Sequence, residues 1–376
     1  PLLHKGSVKD IYGNLNQSPY VFKFSDRYSV FDWGEMPDSL DGKGMALASM
    51  AKLFFQVLGD KKNWANWETP CPLTVEQELI LNTFKENGMK HHGIGLVDDQ
   101  NINLTDGNFS NSLAVEAMNV ISPSYISEKR KYDYKEYTPD LVDTLVPLEV
   151  IFRFDISNGS SLLKRTGDSK YLKSMGLEKA PTAGDHYDLP LIEFSTKLES
   201  TDRYLPLQDA REISNMNIEE INRLKDVTVL LALRLKDVFK AIGVALHDGK
   251  FEFAFAQNLT KSRTFQLIDS IGPDELRISA SGKQLSKERL REFYRDGEWH
   301  KLIEKAKELA IERGDPDWKT ICHKEFDANP PSIDKDKIEA VTMMYKTLTN
   351  ELSKKYLNDT VFKDTWSMAK LIDELP

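Results

Sequence analysis

The sequence predicts an α+β protein in which antiparallel sheets are mixed with helices. Three observations predict this class. Residues 146–154 alternate between two faces, as a strand does, whereas residues 217–242 carry apolar side chains at helical spacing. Asp248-Gly249, flanked by apolar runs at 244–246 and 251–255, predicts a β-hairpin, which joins antiparallel strands. The elements do not follow the regular strand–helix order of a parallel sheet.

Each element has its own local signal. The predicted strands are 9–12 and 20–25, joined by a turn at Gly13-Asn14, then 146–154, the hairpin at 244–255, and 264–269 beside it. The predicted helices are 45–58, 76–87, 217–242 and, in the helical C-terminal third, 338–352 after Pro330-Pro331. Asn217 and Glu220 have capping-box spacing, and Gly243 ends that helix.

Length and composition limit the organisation and the class of protein. The chain has 376 residues, which at about 150 residues per domain predicts two lobes. We place the N-terminal lobe at 1–145, with an inserted region near 63–140, and the C-terminal lobe at 146–376. The net charge of −9 is a poor match for sequence-independent binding to nucleic acid or to an anionic membrane. Two cysteines offer no disulfide framework, and no apolar run is long enough to span a bilayer, which favours a soluble cytoplasmic protein.

The opening hairpin carries a candidate phosphate-binding motif. Gly6 and Ser7 would let backbone amides approach phosphate oxygens, and Lys9 would add a positive charge. The alternative is an ordinary edge strand with a solvated lysine. The sequence has no P-loop motif, which argues against a P-loop NTPase.

A second polar cluster follows the next strand. Asp26, Ser29 and Asp32 lie close together in the sequence, and Lys43 follows between two glycines. Such groups could hold an amino acid, whose carboxylate would face a cation and whose ammonium would face an acid. The alternative is a surface turn capped by Asp26 and Ser29.

Two further groups suit anions and metal ions. Arg153, followed by Ser160 and Ser161, offers fork-shaped and hydroxyl donors to a phosphomonoester, unless Arg153 forms a structural ion pair with Glu149. Glu252 and Asp269, on neighbouring predicted strands, would form a hard-oxygen site for Mg²⁺, unless they lie on a half-exposed sheet face.

A third candidate, His91-His92, is interpreted as structural, because adjacent strand residues point apart and no nearby His or Cys completes a zinc site.

Taken together, these segments resemble the SAICAR synthetases, the phosphoribosylaminoimidazole-succinocarboxamide synthase family. The matching motifs occur in the family's order: Gly6-Ser-Val-Lys-Asp-Ile-Tyr12, Ser25-Asp-Arg-Tyr-Ser-Val-Phe-Asp32, Gly42-Lys-Gly44, Lys85-Glu-Asn-Gly-Met-Lys-His91, Val146-Pro-Leu-Glu-Val-Ile-Phe-Arg153, Gly159-Ser-Ser-Leu-Leu-Lys-Arg165, Glu193-Phe-Ser-Thr-Lys197, Asp248-Gly-Lys-Phe-Glu-Phe253, Leu267-Ile-Asp269 and Pro273-Asp-Glu-Leu-Arg277. Each motif is weak alone, but the series is specific.

The resemblance implies a two-lobed fold with ATP bound in a cleft between the lobes. It also implies an ATP- and Mg²⁺-dependent ligase that joins 5-aminoimidazole-ribonucleotide carboxylate (CAIR) to L-aspartate through an acyl phosphate. Neither a monomer nor a homo-oligomer is favoured. Two rival functions are a phosphotransferase for a small molecule and a nucleotide-binding homologue that has lost catalysis.

The resemblance also implies roles for individual residues. ATP would meet Gly6, Ser7, Lys9, Glu149 and Lys197; CAIR would meet Ser29, Asp32, Arg153, Ser160 or Ser161, and Arg277; Mg²⁺ would meet Glu252 and Asp269; and the catalytic residues would be Asp32, Lys43 and Lys197.

One departure concerns the metal site. The family usually has a Glu where this chain has Ser270, so we expect either that Asp274 or Glu275 compensates or that metal use and rate differ.

Overall fold

The computed structural model describes residues 1–258, 262–314 and 317–376. It confirms a mixture of helices and antiparallel sheets. The strands are β1 Leu2–Lys5, β2 Lys9–Asn14, β3 Gln17–Phe24, β4 Gly93–Leu96, β5 Ser112–Val115, β6 Ser124–Ile126, β7 Lys131–Asp133, β8 Thr144–Asp155, β9 His186–Thr196, β10 Tyr204–Leu205, β11 Ala245–Gln257, β12 Arg263–Ile268, β13 Leu276–Ala280 and β14 Lys283–Gln284. The helices are α1 Lys43–Gly59, α2 Lys62–Ala65, α3 Val75–Asn87, α4 Ser169–Ser174, α5 Leu207–Ser214, α6 Ile218–Lys240, α7 Glu288–Tyr294, α8 Glu298–Arg313, α9 Trp318–Phe326, α10 Lys335–Leu357 and α11 Met368–Glu374.

The chain divides into two compact units, each assembled from separate segments. Unit 1 contains 1–53, 94–116 and 272–376, and unit 2 contains 54–93 and 117–271. The lobes predicted from the sequence, with a boundary near residue 145, stay a prediction.

Unit 1 is built on a sheet with the strand order β1-β2-β3-β5-β4. The predicted opening hairpin is confirmed as β2 and β3, which pair from Lys9↔Phe24 to Asn14↔Gln17, so the turn lies slightly later than predicted. The same unit contains the β13–β14 hairpin and the C-terminal helices, where α8 packs on α9 and α10 on α11.

Unit 2 is built on antiparallel strands in the order β10-β9-β8-β11-β12. The long helix α6 packs against β8, β9 and β11 and supplies much of the buried apolar surface. Its predicted capping box is confirmed, because Asn217 accepts from the backbone N–H of Glu220 and Glu220 accepts from that of Asn217. These reciprocal bonds satisfy two amide groups that the first turn would otherwise leave unpaired.

The predicted hairpin at Asp248-Gly249 is wrong. β11 runs straight through both residues, and Asp248 and Gly249 pair with Arg153 and Phe152 of β8. Because β8 pairs with β11 at both residues, extended backbone here forms ladder hydrogen bonds that a turn would break. The predicted strand beside it is confirmed as β12.

Within the described ranges, no helix is both long and apolar enough to cross a membrane.

Candidate active site

The sheet of unit 2 gathers two lysines and two glutamates on one face; we call Glu149, Lys197, Lys250 and Glu252 the lysine–glutamate cluster. Glu149 of β8 and Glu252 of β11 are directly opposed in the ladder. Lys197, just after β9, places Nζ 2.6 Å from Glu252 Oε1 and 3.3 Å from Glu149 Oε1. Lys250 Nζ lies 2.6 Å from Glu149 Oε1. The cluster therefore alternates positive and negative groups in a largely buried position.

The two glutamates differ in their protonation behaviour. Burial and the neighbouring charge of Asp269 raise the pKa of Glu252 to about 7, although Lys197 opposes that shift. Burial would also raise the pKa of Glu149, but Lys250 and Lys197 together hold it below its ordinary value. Glu149 is therefore a carboxylate at neutral pH, while Glu252 exchanges a proton near neutrality.

Asp269, the other predicted metal ligand, belongs to the same neighbourhood. It follows β12 in a left-handed conformation with φ of 63°, and its charge raises the pKa of both Glu252 and Lys197. His92 Nε2 lies 3.1 Å from the Asp269 carbonyl oxygen, so His92 supports this turn, consistent with its interpretation as structural. No ready-made group of at least three His, Cys, Asp or Glu ligands exists within the described residues. A carboxylate pair fits Mg²⁺, which usually takes one or two carboxylates and completes its shell with water and phosphate.

Arg153 is buried in a second polar group on the same sheet. Its Nε donates to Glu193, its Nη2 donates to Ser161 Oγ at 3.2 Å, and its Nη1 lies 3.6 Å from Asp248 Oδ2. The alternative ion pair with Glu149 is therefore wrong, because Glu193 and Asp248 are the acids that contact Arg153.

The two candidate serines have different contacts. Ser161 Oγ contacts Arg153, whereas Ser160 Oγ accepts from the backbone N–H of Leu162 at 3.4 Å and caps a short 3₁₀ turn. Of the two, Ser161 has the hydroxyl adjacent to the guanidinium.

In unit 1, the predicted phosphate motif forms a tight turn between β1 and β2. Gly6 N donates to Lys9 O at 3.1 Å, and a Cβ at position 6 would lie only 2.4 Å from that oxygen, so this close approach requires glycine. Ser7 is exposed, and Lys9 Nζ lies 4.3 Å from the centroid of the Phe22 ring.

The cluster after β3 is partly structural. Asp26 Oδ1 accepts from Gly44 N at 2.9 Å, and the buried Ser29 Oγ accepts from Gly34 N at 3.2 Å. These bonds agree with the alternative of a capped turn. Asp32 differs, because its side chain is 84% exposed and lies 3.5 Å from Lys307 Nζ.

Lys43 is almost completely buried, with 1% of its surface exposed. Its Nζ lies 2.9 Å from Asp274 Oδ2, while the Tyr345 hydroxyl donates to Asp274 Oδ1 at 2.5 Å. Burial would raise the pKa of Asp274, but Lys43 and Lys287 hold it low. Both oxygens of Asp274 are thus engaged within unit 1, which argues against its compensating for Ser270.

Arg277 lies beside an acid that attracts further arginines. Its Nη2 is 3.8 Å from Glu288 Oε2, and Glu288 also contacts Arg291 at 3.0 Å and Arg295. Sequence reasoning missed Glu288, Arg291 and Arg295, because the rest of the β13–β14 hairpin lies between them and Arg277 in the sequence.

Sequence reasoning also assigned no role to Asp248 and Lys250. A signal for both was present, since they precede Glu252 at even spacing, which places all three on one face of a strand.

Comparisons with known proteins identify the family of the chain. The family model described as SAICAR synthetase matches residues 2–306. A protein of Archaeoglobus fulgidus, provisionally named phosphoribosylaminoimidazole-succinocarboxamide synthase, is 34% identical over 380 residues, which cover 98% of this chain and 100% of that protein. The enzyme of that name from Thermoplasma acidophilum is 25% identical over 361 residues, covering 94% of this chain and 98% of that one.

Solved structures show the same fold. SAICAR synthase from Saccharomyces cerevisiae, complexed with SAICAR, is similar with a TM-score of 0.57 and 20% identity, over 98% of this chain and 96% of that one. A SAICAR synthetase in complex with ADP is similar with a TM-score of 0.50 and 19% identity, over 88% of this chain and 99% of that one. The family match over most of the sequence and the end-to-end relative lead to one conclusion: this chain belongs to the SAICAR synthetase family.

Proposed function

We propose that this protein is a cytoplasmic ATP-dependent ligase that joins CAIR to L-aspartate, giving SAICAR, ADP and phosphate in purine biosynthesis. The observation that carries the proposal is the 34% identity to a provisionally named synthase across its whole length. The lysine–glutamate cluster and the buried Arg153 group provide suitable chemistry within unit 2.

The reaction must overcome the poor reactivity of a carboxylate. The CAIR carboxylate would attack the γ-phosphorus of ATP, releasing ADP and forming an acyl phosphate. The aspartate amine then attacks the acyl carbon, and phosphate leaves as the amine loses a proton. The protein contributes chiefly by positioning the reactants and by neutralising their charge.

The lysine–glutamate cluster is the nucleotide-side part of the proposal. Lys197 carries a positive charge, because the attraction of Glu252 and Glu149 outweighs burial and keeps its pKa above its ordinary value. We assign it to phosphate oxygens of ATP, with Glu149 beside the nucleoside and Gly6, Ser7 and Lys9 covering phosphates.

Glu252 and Asp269 would hold Mg²⁺, which when bound would neutralise phosphate charge. Their closeness and the raised pKa of Glu252 fit such a site, because two neighbouring acids are stabilised by a cation.

Arg153, Ser161 and Arg277 are assigned to CAIR. Arg153 and Ser161 already lie in hydrogen-bond contact, so a phosphomonoester can bind donors from both. Asp32, largely exposed, would face substrate together with Ser29. For Lys43, the bond to Asp274 supports a role in holding the segment that precedes Arg277.

Product analysis tests the function. Incubation with CAIR, L-aspartate, ATP and Mg²⁺ should give an aspartyl adduct, ADP and phosphate in equal amounts. Omission of aspartate should abolish the adduct. Full ADP release without aspartate, together with a stable phosphorylated product, would instead identify a phosphotransferase, and nucleotide binding without any turnover would identify a homologue that has lost catalysis.

A further inference from the structure

We propose that Arg165 and Glu193 are positioning residues that hold Arg153 and Ser161 at the spacing at which both donate to the phosphate of CAIR. This inference rests on the proposed function and adds two residues to it. The sequence alone suggested only a solvated basic stretch at Lys164 and Arg165. The structure separates these neighbours, because Lys164 is exposed whereas Arg165 turns inward.

Glu193 is the centre of the arrangement. Its side chain is fully buried in β9 and accepts hydrogen bonds from three donors, namely Arg153 Nε, Arg165 Nη2 at 2.5 Å and the Tyr171 hydroxyl at 2.6 Å. Burial would raise the pKa of this carboxyl, but the two guanidinium groups and Tyr171 hold it below its ordinary value. Glu193 is therefore ionised at neutral pH and fixes two arginines at once.

Arg165 is fixed on several sides. Its Nη1 donates to the Ser161 carbonyl oxygen at 2.8 Å, and its guanidinium lies 3.5 Å from the centroid of the Tyr204 ring. The Nε of Arg165 is buried without a hydrogen-bond partner, which is a cost that the other contacts offset. A lysine could supply the charge here but could not make this planar set of contacts.

These contacts close a ring. Arg153 bonds to Glu193, Glu193 to Arg165, Arg165 to the backbone of Ser161, and the hydroxyl of Ser161 to Arg153. The Tyr204 hydroxyl, 3.0 Å from Ser161 Oγ, adds a further constraint on that side chain.

The ring connects a rigid sheet to a short turn. Arg153 and Glu193 belong to the paired strands β8 and β9, whereas Ser161 and Arg165 belong to a 3₁₀ turn. Without Arg165, only one hydrogen bond of the ring would hold Ser161 to Arg153. Because an anion bound by two donors loses affinity when either moves, the turn must be held in place for tight binding.

The test compares Arg165→Lys with Lys164→Gln, a matched change of the adjacent exposed residue. CAIR binding is measured by calorimetry without ATP, so that it does not depend on turnover, and KM is measured for all three substrates. We expect Arg165→Lys to weaken CAIR binding about tenfold or more, because a charge-assisted contact is lost. The KM values for ATP and aspartate should stay close to those of the parent and of Lys164→Gln.

Two further measurements make the result specific. The nucleoside of CAIR, which lacks the phosphate, should bind equally well to the parent and to Arg165→Lys. In an Arg153→Ala background, Arg165→Lys should have little additional effect.

Tyr204→Phe serves as the second variant if Arg165→Lys fails to fold. It removes the hydroxyl that contacts Ser161 and keeps the aromatic side chain that contacts Arg165, and it should weaken CAIR binding about threefold.

The positioning role is refuted if Arg165→Lys affects CAIR binding no more than Lys164→Gln does. It is also refuted if affinity for the nucleoside falls equally, or if the effects of the Arg153 and Arg165 substitutions simply add. A parent protein that binds CAIR but forms no aspartyl adduct would refute the proposed function instead, and the binding measurements would still decide the role of Arg165.

Discussion

Lys197→Met should destabilise the protein in a way that depends on pH. The substitution keeps most of the side-chain volume but removes the ammonium that contacts both Glu252 and Glu149. Removal of one partner from a buried ion pair typically costs about 3–5 kcal/mol. The Lys197 side chain is 27% exposed, so solvent screening should reduce the cost below that range, to about 2–3 kcal/mol.

The pH dependence follows from Glu252. Its folded-state pKa is raised from 4.5 to about 7, so its stabilising contribution is complete below pH 4.5 and is lost as the pH rises to about 7. Because Lys197 lowers that pKa, its removal extends the loss to higher pH. The deficit of the variant should therefore be smaller near pH 5, where Glu252 is protonated and Glu149 alone remains an anionic partner of Lys197, and largest near pH 8.

Urea unfolding at these two pH values measures the deficit, and a double-mutant cycle assigns it. In a Glu252→Gln background, Lys197→Met should cost about 2 kcal/mol less at pH 8, because a neutral amide needs no counter-ion. A deficit that is equal at both pH values, or equal in both backgrounds, would refute the electrostatic explanation and leave lost packing as the cause.

Three other substitutions test separate contacts. Arg277→Ala should weaken CAIR binding by about 1.5–3 kcal/mol in calorimetry while ATP affinity is unchanged, and an unchanged CAIR affinity would contradict its role. Asp269→Asn should lower ATP turnover more than CAIR binding. Because Asn also adopts a left-handed backbone, the change isolates the charge. If the variant and the parent have equal activity across a Mg²⁺ titration, Asp269 is not part of the metal site. Tyr345→Phe should reduce the free energy of unfolding by about 1–2 kcal/mol in urea, because Asp274 loses its 2.5 Å hydrogen bond, and no change would show that this bond contributes nothing.

Local patterns predicted much of the fold. The capping box at Asn217 and the strand β8 depend on neighbouring residues, so the sequence alone contained the necessary information. The Asp248-Gly249 hairpin failed for the opposite reason. Its local turn signal is genuine, but pairing with β8, from a distant part of the chain, decides that the segment is extended.

The candidate site shows the same limit. Residue type and spacing identified Arg153, Glu252 and Asp269 as chemically interesting. Neither type nor spacing could assign Glu193 as the partner of Arg153, because that contact depends on the register between β8 and β9. Burial of Lys43 was equally hidden, since a lysine between two glycines is typical of an exposed turn.

The unbroken course of β11 has a consequence for the spacing of two polar groups on the sheet. Asp248 opposes Arg153 and Glu252 opposes Glu149, with uninterrupted register between the two pairs. Four residues of antiparallel strand span about 14 Å. The register therefore fixes the distance between the two pairs, and with it the separation of any groups that the two pairs bind.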